Sequence, residues 1–114
     1  MTFLLGLVAF ITPTLVPVGY PLRHVTPPRV ESVNSTSYCQ AGVMASGRET
    51  FDGAVAGNRW PLGTWLFVLS GSHKGETVQV LDRIGWGSQL DFFTRSCKRA
   101  WHYGRQQIKV EIIS

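Results

Sequence analysis

The chain has 114 residues, 16% of them charged, and a formal net charge of +4. That length is one domain. The basic excess is that of an ordinary soluble surface, and no Lys/Arg cluster or RNA-binding aromatic motif points to nucleic acid. Two cysteines without histidines at ligand spacing argue against zinc, and no metal or other cofactor is expected.

From the N-terminus, Phe3 to Val18 carry no charge and are mostly apolar. Residues 1–18 read as a signal peptide or a membrane anchor. No Lys or Arg precedes the apolar run, no small-x-small cleavage site follows it, and Pro13 and Pro17 interrupt it. Export to the cell envelope or beyond is expected, with membrane attachment through residues 1–18 left open. Residues 19–37, with Pro21, Pro27, Pro28, Ser32, Asn34, Ser35, Thr36 and Ser37, read as a linker. Residues 38–114 are the folded domain, expected to act as a monomer.

Within that domain the pattern is β. Trp65-Leu66-Phe67-Val68-Leu69 is a continuous apolar run, as in a strand buried on both faces. Ser70 to Gly75 is a turn by composition. Thr77-Val78-Gln79-Val80-Leu81 alternates and then meets Asp82; Gln107 to Ile112 alternates and closes the chain. Thr94 to Tyr103 suits a short helix, with Thr94 placed to cap it and Gly104 placed to stop it. Short strands, glycine-rich turns and one or two small helices indicate an all-β compact barrel. Cys39 and Cys97 bracket almost the whole domain, and in an exported protein an even pair suggests a disulfide. Two free thiols are the alternative. Such a link would stabilise by roughly 4 kcal/mol in the chain-entropy model.

Asp82 and Asp91 are the residues that point to chemistry. Each follows an apolar residue, in Leu81-Asp82 and Leu90-Asp91, and a loop with Gly85, Trp86 and Gly87 separates them. A carboxylate in an apolar stretch is expensive unless it is hydrogen-bonded or used. Two of them facing one cleft supply acid/base equipment for work on a sugar. The bland reading is that both bond backbone N–H groups, or that Arg83 pairs with one. Trp86, flanked by glycines, is a candidate sugar platform, with Tyr38 and Arg105 as candidate groove walls. His73 and His102 read as solvated or as local hydrogen-bonders.

Ser46-Gly47-Arg48-Glu49-Thr50, Gly53-Ala54-Val55-Ala56 and Trp60-Pro61-Leu62-Gly63-Thr64 resemble the first half of the double-psi β-barrel domains. These include the rare lipoprotein A-like proteins and the three-aspartate domains related to lytic transglycosylases. Leu81-Asp82-Arg83-Ile84-Gly85 with Leu90-Asp91-Phe92 resembles their second half. Ala100 to Gln106 with Ile108-Lys109-Val110 is similar to their closing segment. The resemblance implies a six-stranded double-psi barrel and peptidoglycan glycan strands as partner. The implied chemistry is metal-independent lytic transglycosylation, with Asp91 as general acid/base and Asp82 orienting it or raising its pKa. The chain departs from the pattern at two places. No Asp stands near Ala56-Gly57-Asn58, and Trp60 precedes Pro61 where the lipoprotein branch places a histidine. A barrel that binds glycan without cutting it, as expansins do, or that serves structurally in an envelope or virion, is the alternative.

Overall fold

The computed structural model describes residues 27–114. The proposed signal or anchor at residues 1–18 and the first part of the proposed linker lie outside the described residues. Six strands are formed: β1 (Arg29–Tyr38), β2 (Ala54–Gly57), β3 (Trp65–Val68), β4 (Thr77–Asp82), β5 (Leu90–Phe93) and β6 (Gln106–Ile112). One helix, α1 (Cys97–Tyr103), lies between the last two. The strands close into a barrel in the order β1-β5-β2-β4-β3-β6. Pairs β1–β5 and β2–β4 are parallel, and the other four are antiparallel. Advancing every strand number by three, with β4 to β6 returning to β1 to β3, maps this ring onto itself and exchanges the two parallel pairs. The barrel is thus two interlocked halves of three strands each, the expected double-psi arrangement.

Alternation decides what lies inside. Val33, Val55, Leu66, Val68, Val78, Val80, Leu90, Phe92, Ile108 and Val110 point inward and form one core with Trp60. Trp65 stays partly exposed and Phe67 is half-buried, so β3 is not buried on both faces as its apolar run suggested. A barrel wall has one inner face, and only every second residue reaches it.

Of the linker expected over residues 19–37, residues 29–37 are strand instead. From Arg29 the chain is strand, paired antiparallel to β6 and then parallel to β5. Its polar residues are accommodated because most face outward, while Val33 and Ser35 turn in. The helix starts later than expected. Ser96, not Thr94, caps it by accepting the Arg99 backbone N–H, while Thr94 is buried. Gly104, at φ 55°, ends it as expected. Cys39 and Cys97 are joined in a disulfide that ties the end of β1 to the first residue of α1.

Candidate functional site

The two aspartates are not on neighbouring strands. β2 lies between β4 and β5. In register, Thr36 of β1 faces Asp91 of β5, Asp91 faces Ala56 of β2, and Ala56 faces Asp82 of β4. Thr36, Asp91, Ala56 and Asp82 therefore form one row across four strands. The row is on the outer face, because the neighbours Ser35, Leu90, Phe92, Val55 and Val80 point into the barrel.

A bulge puts Asp82 in that row. Val55 pairs with Val80, but Ala56 pairs with Asp82, so Leu81 is the extra residue. Leu81 packs outside the main core with Met44, Ala54 and Phe51. In a regular ladder Leu81 would face Ala56 and Asp82 would be carried past it. Bulges commonly re-aim a side chain in this way.

The two carboxylates have different surroundings. Asp82 Oδ1 accepts the backbone N–H groups of Ala45, at 2.8 Å, and Arg83, at 2.9 Å. It holds the β1–β2 connection against the end of β4. Asp91 accepts only from the Thr36 hydroxyl, at 2.9 Å, among the described residues. Burial pushes the Asp91 carboxyl above the ordinary carboxylate value, and the Thr36 hydrogen bond partly opposes that shift. Burial and not Asp82 is the cause. Two strand spacings separate the aspartate Cα atoms, about 9.5 Å, and a convex wall splays outward side chains apart.

Tyr38 sits two residues beyond Thr36, on the same outer face. Its ring meets Phe93 edge-on at 5.4 Å. Burial, then the charges of Asp82 and Asp91, push its phenol up to about 12. Its hydroxyl is buried without a hydrogen-bond partner among the described residues. The phenol thus stays neutral beside both carboxylates at neutral pH.

Asp82, Asp91, Tyr38, Ala56, Trp86 and Gln89 line a cleft of about 400 Å³ on the barrel's outer wall. Trp86 is 83% exposed, on a loop whose turn uses Gly87 at φ 102°. That loop is anchored by Asn58, where a further aspartate was expected from the resemblance. Asn58 Nδ2 donates to the carbonyls of Ile84 and Gly87, and its Oδ1 accepts the Ile84 N–H. An aspartate could make only the last of these bonds. Gly57 beside it leaves room for Leu90, whose Cδ1 would lie 3.1 Å from an added Cβ.

The site differs from the sequence reading in several particulars. Arg83 pairs with neither aspartate; its Nη1 donates to the carbonyls of Gly57 and Trp60, at 2.8 and 2.7 Å. Arg105 is exposed and does not line the cleft. His73 is not solvated. It stacks on Phe92 at 4.2 Å, with its Nδ1 on Glu76, the local bond expected. Of the four tryptophans only Trp60 is buried. Sequence reasoning missed Thr36, because a run of Ser, Thr and Asn after prolines looks like a linker. It also missed Ala56, whose small side chain leaves the floor of the row open. Among the described residues, no three His, Cys, Asp or Glu side chains come together as metal ligands, and no helix is long and apolar enough to cross a membrane.

No family model and no curated protein matches this chain.

Proposed function

We propose that the barrel acts on peptidoglycan glycan strands outside the cell membrane, as a lytic transglycosylase-like enzyme with Asp91 as its acid/base. The observation that carries this reading is the environment of Asp91. It is a half-buried carboxyl with a raised pKa, in an open cleft, accepting one hydroxyl hydrogen bond and no backbone amide among the described residues. Such a group holds a proton closer to neutral pH than an ordinary carboxylate and is free to pass it on.

The chemistry balances with that one group. Asp91 donates its proton to the glycosidic oxygen as the bond from C1 to that oxygen breaks. The resulting carboxylate then takes a proton from a hydroxyl of the same sugar, whose oxygen attacks C1. An anhydro ring forms, no water is consumed, and Asp91 is protonated again. Asp82, fixed by two amides, supplies negative charge across the groove from a positively charged sugar carbon.

Incubation with purified peptidoglycan sacculi tests the reading by mass spectrometry. The wild type releases anhydro-muropeptides and Asp91→Asn does not. Release of reducing ends alone makes the protein a hydrolase and overturns the proposal. The second reading is a glycan-binding barrel that does not cut. It is favoured by Asn58, which ties the loop down where the family pattern has a charge. Retention on sacculi without any released product selects it.

A further inference from the structure

A second concavity, about 680 Å³, adjoins the carboxylate cleft. Its walls include Thr36, Tyr38, the Cys39–Cys97 disulfide, Ala100 and Trp101. Two of these residues connect it to the cleft. Tyr38 lines both concavities, and Thr36 hydrogen-bonds Asp91 while lining the second. Trp101 is 88% exposed, and the fold uses almost none of its surface. A tryptophan is a costly residue to leave in water unless something flat and partly apolar covers it.

We propose that this concavity is a saccharide-binding arm in which Trp101 stacks on a pyranose ring of the same glycan strand that Asp91 engages. The inference rests on the saccharide reading of the carboxylate cleft. A pyranose presents a face of C–H groups to an aromatic plane and keeps its hydroxyls at the rim. An exposed indole beside hydroxyl-bearing Thr36 suits that division. The strand then runs from Trp86, over Asp82 and Asp91, past Tyr38 to Trp101. From β4 to β1 alone this is three strand spacings, about 14 Å, more than one ring spans. The disulfide holds α1 against the end of β1, so the arm is rigid before the sugar arrives, which lowers the entropic cost of binding. The chain's own N-terminal residues join the barrel at Arg29, at the far end of β1, nine residues and about 30 Å from Tyr38.

The test uses the full-length Asp91→Asn protein, so that nothing is cut, and the hexamer of β-1,4-linked N-acetylglucosamine as probe, read by calorimetry. Adding Trp101→Ala weakens binding on the order of tenfold, whereas Trp101→Phe, which keeps a stacking plane, stays within about threefold of the parent. Unchanged affinity in Trp101→Ala overturns the inference while leaving cutting by Asp91 intact. Binding that needs Trp101 in a wild type that cuts nothing supports the arm and rejects the enzyme. No binding of the hexamer by the parent rejects the arm. Shielding of Trp101 from acrylamide quenching before sugar is added, or a concentration-dependent dimer lost in Trp101→Ala, gives the concavity to the chain's own N-terminal residues or to a second copy and overturns the proposal.

Discussion

Removing the cross-link by Cys39→Ala with Cys97→Ala is expected to cost about 4 kcal/mol, because the two residues are 58 apart in sequence and the chain-entropy cost of closing such a loop has that size. A domain as small as this has a total stability in the range of about 5–15 kcal/mol. The variant therefore keeps a folded state with little reserve. At about 4–8 °C per kcal/mol for this size, its melting temperature falls by roughly 15–30 °C. Urea unfolding followed by tryptophan fluorescence and far-ultraviolet circular dichroism measures the loss directly. The slope of free energy against urea is expected to rise, because an unlinked unfolded chain exposes more surface. Wild type kept in reductant should superimpose on the double variant. A second effect is local. A helix of seven residues is not stable alone, so amide exchange in Ala100–Tyr103 should quicken more than in β6. A loss below about 1 kcal/mol with an unchanged slope would refute the reasoning. It would mean that the unfolded chain already holds these ends together, or that the folded state is strained by the link.

Two further predictions concern titration. The Asp91 carboxyl binds its proton more tightly folded than unfolded, so its contribution to stability is full below the unfolded pKa and is lost as pH rises through the raised folded one. Asp91→Asn should therefore gain stability over wild type across that window and keep the gain at neutral pH; chemical denaturation from pH 3 to 8 checks the sign, and a gain confined to acid pH would contradict it. Tyr38 has the same sense at the alkaline end. Phenolate absorbance should show one tyrosine ionising near 12, a phase absent in Tyr38→Phe, with wild-type stability declining as pH climbs from about 10 towards that value.

How much of this was legible depended on what kind of signal each element gives. β6 was readable because Ile108 and Val110 alternate with exposed Gln107 and Lys109, the pattern of a wall with one wet face. β4 was readable up to Leu81 for the same reason. β1 was hidden, since Ser32, Asn34, Thr36 and Ser37 carry no hydrophobic period, and its strand character comes from partners far away in sequence. The ring order was not legible from local pattern either. Parallel pairing depends on crossovers, and that expectation came from the resemblance alone. At the site, the two aspartates stood out for their apolar neighbours. The bulge at Leu81, which decides where Asp82 points, shows in the sequence only as a break in the alternation, two adjacent apolar residues at Val80 and Leu81. Arg83, which the bland reading paired with one of the aspartates, donates to two carbonyls instead.

Arg29 and Ile112 are register partners at the seam where β1 meets β6. The polypeptide therefore enters and leaves the barrel side by side, and the ring of strands has no need of a break at that place. A short peptide joining residue 114 to residue 27, with new termini opened in the Ser72–Gly75 turn, would give a circular permutant that keeps every ladder of the wall. The carboxylate row would be untouched, since it lies on four strands away from that turn. The same geometry puts the point where the chain enters the barrel, Arg29, at the end of β1 remote from Tyr38 and the cleft.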